Sequence, residues 1–257
     1  MQQINSQTKI IATLGPASST KEILQQMINE GVNVFRLNFS HSTQKEHLKL
    51  IHLINDLNME METNVSILAD LQGPKLRVGE IDNNLINLIE GDVVTFVTIK
   101  CIGTKDHIYM SYQEFPQDVN VGETILIDDG KIKLEVTETD KMNIVKAKVI
   151  YGGPLSSHKG VNLPDTKVSL PCLSKEDILN ALFAVKHNVD WIGLSFVRKA
   201  SDILDLKELI KSNKGHAGVI AKIEKPEALL EIDQIIEFSD GIMVARGDLA
   251  IEIQFGC

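Results

Sequence analysis

The sequence predicts an α/β protein with parallel strands and a β-rich insertion. Three observations lead there. Short apolar runs alternate with amphipathic helical stretches toward both ends of the chain. The middle, residues 75–170, carries strand and turn signals and no good helical pattern. Polar side chains gather where the apolar runs end.

Residues 8–15 form an apolar run stopped by Gly15-Pro16, which reads as a buried strand. Ser19-x-x-Glu22 is a capping box, Ile23, Leu24, Met27 and Ile28 follow at helical spacing, and Gly31 ends that helix. Residues 32–40 are a second strand. Ser42 or Thr43 caps a second helix with Leu50, Ile54 and Leu57 on one face, and residues 65–71 are a third strand.

In the middle segment, β-rich runs at 93–99, 123–127, 132–136 and 144–150 are divided by Glu90-Gly91-Asp92, Asp128-Asp129-Gly130 and Gly152-Gly153-Pro154. This spacing predicts a small all-β barrel or sandwich, with Gly130 supplying a positive φ in its turn. After it, Ser174-x-x-Asp177 opens a helix carrying Ile178, Ala181, Leu182 and Val185, and residues 191–197 are a fourth strand. Ile203, Leu206 and Ile210 mark a helix, and 219–224 a fifth strand. Pro226 stands in the first turn of a helix bearing Leu229, Ile232 and Ile236, and 241–248 is a sixth strand. The domains expected are therefore residues 1–74, an inserted 75–170, and 171–257. Six βα alternations fit either an open doubly wound sheet or part of an eight-fold barrel. No Gly-x-Gly-x-x-Gly follows a strand, which weakens the dinucleotide-binding version.

Composition narrows the function. The 257 residues include 26 Lys+Arg against 35 Asp+Glu, a net charge of −9, and the pI is about 5.3. That balance argues against a nucleic-acid partner. No run approaches the roughly 18 apolar residues of a membrane span, and no secretory signal opens the chain, so a cytoplasmic protein without a membrane partner is expected. Three separated cysteines (Cys101, Cys172, Cys257) suit a reducing compartment. Cys101 and Cys172 read as packing residues, Trp191 as core, and His107, His158, His187 and His216 as solvated.

The chemistry lies at strand ends, where an α/β barrel keeps its active site. Arg36, Asn38 and Ser40 alternate onto one face of the second strand. The third ends in Asp70, the fourth holds Ser195, the fifth Lys222 and Glu224, and the sixth Arg246-Gly247-Asp248. Charges are rarely buried unless paired or bound. Glu224 and Asp248 could hold a hard divalent cation such as Mg2+. Lys222 and Arg36 suit a phosphoryl group, and the whole set could act as a charge-neutralising cage or as a simple ion-pair network.

At this point several long stretches resemble the pyruvate kinase family. They are Thr8-Lys9-Ile10-Ile11-Ala12-Thr13-Leu14-Gly15-Pro16-Ala17, Phe35-Arg36-Leu37-Asn38-Phe39-Ser40-His41, Gly73-Pro74-Lys75-Leu76-Arg77, Lys159-Gly160-Val161-Asn162-Leu163-Pro164, Ala221-Lys222-Ile223-Glu224-Lys225-Pro226-Glu227 and Met243-Val244-Ala245-Arg246-Gly247-Asp248-Leu249. The likeness runs from about Thr8 to Ile253. It implies a (β/α)8-barrel family fold, here with six βα units, and an inserted all-β barrel-like lid domain. The reaction implied moves the phosphoryl group of phosphoenolpyruvate to ADP, giving pyruvate and ATP.

The resemblance also implies residue roles. Lys222 is the catalytic lysine, Ser195 orients it, and Arg36 binds the phosphoryl group. Glu224 and Asp248 hold Mg2+ or Mn2+, and the amides of Gly247 and Asp248 fix the substrate carboxylate. His41, Arg77 and Lys159 lie on the ADP side, Lys159 reaching the nucleotide phosphates when the lid closes. Asn38, Ser40, Asp70 and the Leu71 carbonyl match a monovalent-cation site. Members that need K+ carry glutamate after Gly-Pro, and this chain has Lys75, so K+-independent activity is expected. The family continues with two more barrel units and a C-terminal domain, so an N-terminal fragment of a full-length homotetramer is expected. Ala250 stands where glycine is usual, and residues 254–257 do not match the expected continuation. Two alternatives are an inactive remnant binding Mg2+ or nucleotide, and a Mg2+-dependent aldolase-like lyase. Lys159 in the insertion and the Arg36/His41 pair argue against the lyase.

Overall fold

In a computed structural model, the structure describes residues 7–253; Cys257 and the departure at 254–257 lie outside them. The first segment runs β1 (Ile10–Thr13), α1 (Lys21–Asn29), β2 (Val32–Asn38), α2 (Gln44–Met61) and β3 (Ser66–Asp70). The β-rich segment holds β4 (Leu85–Leu88), β5 (Val93–Val97), β6 (His107–Tyr109), a single helical turn α3 (Phe115–Asp118), β7 (Thr124–Ile127), β8 (Ile132–Thr139), β9 (Ile144–Tyr151), β10 (Gly153–Ser156) and β11 (Val161–Asn162). The last segment runs α4 (Lys175–Lys186), β12 (Trp191–Leu194), α5 (Ala200–Ser212), β13 (Gly218–Ile223), α6 (Glu227–Leu230), α7 (Ile232–Phe238), β14 (Gly241–Val244) and α8 (Arg246–Glu252).

The chain divides into two compact units. One takes the described residues through Gly73, Cys172–Ile223 and Glu227–Val244; the other takes Pro74–Pro171, Glu224–Pro226 and the described residues from Ala245. In the first, a six-stranded sheet has the order β1-β2-β3-β12-β13-β14, every neighbouring pair parallel. Sequential parallel strands with crossover helices are what alternating βα signals demand. One device recurs near the strand starts. Asn33 Oδ1 accepts from Ile10 N (2.9 Å), Asp190 Oδ2 from Ile67 N (2.7 Å) and Asp240 Oδ2 from Val219 N (2.8 Å). Each carbonyl-type oxygen satisfies an amide that the parallel ladder leaves open.

Helix starts follow their sequence signals with one shift. Thr20, not Ser19, caps α1, its hydroxyl accepting from Ile23 N. Gly31, with φ of +98°, follows the end of α1 in the left-handed conformation glycine adopts at least cost. Thr43 forms a reciprocal capping box with Glu46, and α2 buries His47, Ile51, Ile54 and Leu57. Ser174 and Asp177 form the expected box at α4. The stretch after Pro226 departs from expectation. It is two short helices broken at Glu231. Ala228 and Ile235 are buried, while Leu229 and Ile236 are exposed, so the buried face lies one residue before the expected stripe. Residues 246–248 also differ, lying in the first turn of α8 and not in a strand.

The second unit contains a six-stranded sheet, order β11-β7-β8-β9-β5-β6, and a two-stranded ribbon of β10 and β4. Alternation along β8 and β9 places Leu134, Val136, Val145, Ala147 and Val149 in one apolar core with Phe96, Phe115 and Ile125. Gly152-Gly153-Pro154 is no simple turn, because β10 begins at Gly153. In Asp128-Asp129-Gly130 all three residues have positive φ (54°, 57° and 82°). Aspartate tolerates that conformation better than most residues. Trp191 and His187 are both half-buried, His187 packing 4.6 Å from the Phe183 ring, so it is not a solvated histidine. Among the described residues no helix is long and apolar enough to cross a membrane.

Candidate active site

In the parallel sheet, the carboxyl ends of β2, β3, β12 and β13 bring five of the candidate residues together. Arg36 donates from Nε to Asp70 Oδ2 at 2.8 Å, and its Nη2 makes a second, shorter contact with the same carboxylate. Its Nη1 donates to Thr13 Oγ1 at the end of β1 (3.0 Å). Lys222 Nζ donates to Ser195 Oγ at 2.6 Å, and Ser195 donates onward to the Leu71 carbonyl at 2.6 Å. Lys222 Nζ also forms an ion pair with Asp70 Oδ1 at 3.1 Å. Asp70, Ser195 and Lys222 are buried, whereas Arg36 is partly exposed.

The Asp70 carboxylate thus pairs with both Arg36 and Lys222, and burial lowers the dielectric that would screen these charges. The cluster suits an incoming anion, and planar Arg36 suits phosphate or carboxylate geometry. Ser195 acts on Lys222 by accepting its proton vector, while its own hydroxyl is anchored on Leu71. That fixes the ammonium's direction.

The loop behind Ser195 is tightly supported. Gly73 has φ of +72°, and a Cβ there would stand 2.6 Å from the Phe196 ring and 3.0 Å from Ser195 Cβ. Only glycine permits this approach. Asp177 Oδ1 accepts from Gly73 N at 3.1 Å, which ties the loop to α4. Cys172, buried as expected, donates its thiol to the Ser195 carbonyl at 3.2 Å.

Three of the groups matched to a monovalent-cation site are engaged within the protein. Asp70 meets Arg36 and Lys222, the Leu71 carbonyl takes Ser195, and Asn38 Oδ1 accepts from Ser40 N at 3.0 Å. His41 is exposed, and its carbonyl accepts from the His47 ring (3.0 Å).

The second unit gathers the other candidates in two places. Lys159 Nζ pairs with Asp128 Oδ1 at 2.8 Å and Lys131 Nζ with Asp128 Oδ2 at 2.9 Å. These cations, Lys159 first, hold the Asp128 carboxyl below the ordinary carboxylate range. Arg77 bridges to Gly160 and donates from Nη1 to the His158 carbonyl at 2.9 Å. Lys75 is exposed and lies over Gly160, where an added Cβ would be 3.3 Å from its Cε.

The other place surrounds α8. Glu224, immediately after β13, is buried, while Asp248 is partly buried in the first turn and Gly247 is exposed. Lys225 Nζ and Asn162 Nδ2 each donate to buried Glu252 Oε1 at 2.6 Å. Thr13, Asp177 and Glu252 were not singled out by sequence reasoning as site-supporting residues, whereas the resemblance allows the Asp128-Asp129-Gly130 turn a nucleotide-facing role. Only Thr13, the polar last residue of β1, follows the strand-end rule that picked the others. Among the described residues, no group of three or more His, Cys, Asp or Glu is placed to hold a metal ion. Glu224 and Asp248 fit Mg2+ or Mn2+ chemistry in another way, since such ions take one or two carboxylates and complete their shell with substrate oxygens and water.

Comparison with known proteins gives the family of the chain. Residues 5–256 match the family model described as pyruvate kinase, barrel domain. The chain is 42% identical over 253 residues to a pyruvate kinase of Thermococcus litoralis, covering 98% of this chain and 53% of that protein. It is 42% identical over 248 residues to one of Geobacillus stearothermophilus and 40% over 247 residues to one of Staphylococcus aureus, in each case 96% of this chain and 42% of the relative. The chain spans about half the length of these relatives. With a family model matching nearly its whole length, the chain belongs to the pyruvate kinase family.

Proposed function

We propose that the protein containing this chain transfers the phosphoryl group of phosphoenolpyruvate to ADP, giving pyruvate and ATP. The observation that carries the reading is the Lys222–Ser195–Asp70–Arg36 cluster, in which one buried carboxylate pairs with two cations at the strand ends. Arg36 would bind the phosphoryl oxygens as a planar donor. Lys222, aimed by Ser195, would neutralise the charge that spreads over the phosphoryl group in transfer. Both cations are held by Asp70 in this structure, so an arriving phosphoryl group would compete for them and need not build the site anew.

Glu224 and Asp248 would hold Mg2+ or Mn2+, and the Gly247 and Asp248 amides at the start of α8 would fix the substrate carboxylate. When bound, the divalent ion supplies Lewis-acid charge and a template for oxygens. His41, Arg77 and Lys159 would serve the nucleotide. Asn38, Ser40, Asp70 and Leu71 would form the monovalent-cation site, with the Lys75 ammonium supplying the charge that K+ provides elsewhere. The six βα units would be the first six of an eight-fold barrel, the β-rich unit its lid, the complete protein a homotetramer, and its compartment the cytoplasm. Exposed Ile10 and Ile11 on β1 and Ile242 and Val244 on β14 support further strands at these edges. The test is ADP-dependent release of pyruvate from phosphoenolpyruvate by the complete gene product. Carbon–carbon cleavage of a related substrate, with no ATP formed, would overturn the proposal.

A further inference from the structure

A buried histidine outside the reacting groups is unexplained by that reading. His47, one turn into α2, is 4% exposed and stacks on Phe39 with centroids 4.2 Å apart and planes 22° from parallel. Its Nε2 is 3.0 Å from the His41 carbonyl, and its Nδ1 is buried with no hydrogen-bond partner among the described residues. A carbonyl only accepts, so Nε2 must carry the proton. An unpartnered buried Nδ1 is then best left bare, since a second proton there would place an uncompensated charge against Phe39. Burial lowers the ring's pKa, opposed by the His41 carbonyl and by Glu46, so neutrality is favoured.

The bond is made at a strained place. Ser42, next to His41, has φ of +70°, a region that residues with a Cβ occupy only at a cost. The turn from β2 to α2 is held from three sides. His41 N donates to the Asn38 carbonyl (3.2 Å), the Thr43–Glu46 box fixes the helix start, and His47 grips the His41 carbonyl from within. Only the last of these ties the turn to the packed side of α2.

We infer that His47 is a positioning residue, which as the Nε2-protonated neutral ring sets the His41–Ser42 turn and so places His41 for the nucleotide. The consequence for nucleotide rests on the proposed function; the grip on the turn does not. The test compares His47→Phe, which keeps a stacking ring and loses the donor, with His47→Gln, whose amide reaches as far as Nε2. In the complete enzyme His47→Phe raises KM for ADP about tenfold or more, the equivalent of one buried hydrogen bond, while kcat and KM for phosphoenolpyruvate stay within about threefold. His47→Gln recovers most of the difference. Nitrogen-15 spectra of the unsubstituted protein should show the Nε2-protonated form at pH 7, and His47→Phe should speed amide exchange at Ser42 and Thr43. An unchanged KM for ADP in a folded, active His47→Phe enzyme overturns the inference, as does an Nδ1-protonated ring. If the unsubstituted enzyme transfers no phosphoryl group, the proposed function falls, and the ring tautomer and amide exchange decide the role of His47 without substrate.

Discussion

Ser195→Ala is the sharpest probe of the central cluster, because it removes one oxygen and almost no volume. That oxygen accepts from Lys222 and donates to the Leu71 carbonyl, both at 2.6 Å, at a position 1% exposed. Losing a hydrogen bond to a charged group costs about 1.5–3 kcal/mol, and leaving a buried carbonyl unpaired costs about 1–3 kcal/mol. Lys222 keeps Asp70, which offsets part of the first cost. The expected destabilisation is therefore about 2–4 kcal/mol, a large share of the roughly 5–15 kcal/mol that holds a domain together. Urea unfolding reads it as a lower midpoint at an unchanged slope. Ser212→Ala, on the exposed face of α5, is the control and should stay within about 0.5 kcal/mol. A Ser195→Ala protein that unfolds at the original midpoint would refute the claim that this hydroxyl links β13 to the loop after β3.

Three further outcomes follow from the same geometry. Gly73→Ala puts a Cβ into the Phe196 ring and forces a positive φ on alanine, so thermal unfolding should show a loss of about 2 kcal/mol or more. Asp128, depressed by Lys159 and Lys131, contributes its pairing above the ordinary aspartate pKa of about 3.9, and loses it as pH falls through the lower folded value. Its carboxyl carbon resonance should titrate with a midpoint below about 3.9, and a midpoint at or above that value contradicts the pairing. Lys75→Glu should convert the enzyme to K+ dependence. For the unsubstituted enzyme, replacing a bulky organic cation with K+ should change the rate less than tenfold, a limit of about 1.4 kcal/mol; a larger rise removes Lys75 from the role proposed for it.

Much of the fold and part of the site were legible because their signals are local. Ser174-x-x-Asp177 opens a helix in the sequence and in the structure, and of the two caps the sequence offered for α2, Ser42 and Thr43, the structure uses Thr43. Arg36, Asp70, Ser195 and Lys222 stood out because charge or polarity at the end of an apolar run needs a partner, and they partner one another. The misses have physical causes. The stripe Leu229, Ile232, Ile236 lies one residue late, because the buried face holds Ala228, a weak hydrophobic marker, and Ile235, while the larger Leu229 and Ile236 are exposed. His47 was hidden because a histidine in the buried stripe of α2 looks like one more helix residue, and its bond to the His41 carbonyl depends on the turn between them. The pairing of Asp128 with Lys159 joins two turns 31 positions apart, which no spacing rule anticipates.

The most direct test of the account is the rate of pyruvate formation from phosphoenolpyruvate, ADP and Mg2+ by the complete gene product, with and without Lys222→Met. The account predicts ADP-dependent turnover that falls by several orders of magnitude in the substituted enzyme, while ADP binding and folding persist. An undiminished rate in folded Lys222→Met, or a folded unsubstituted enzyme that forms no pyruvate, would contradict it.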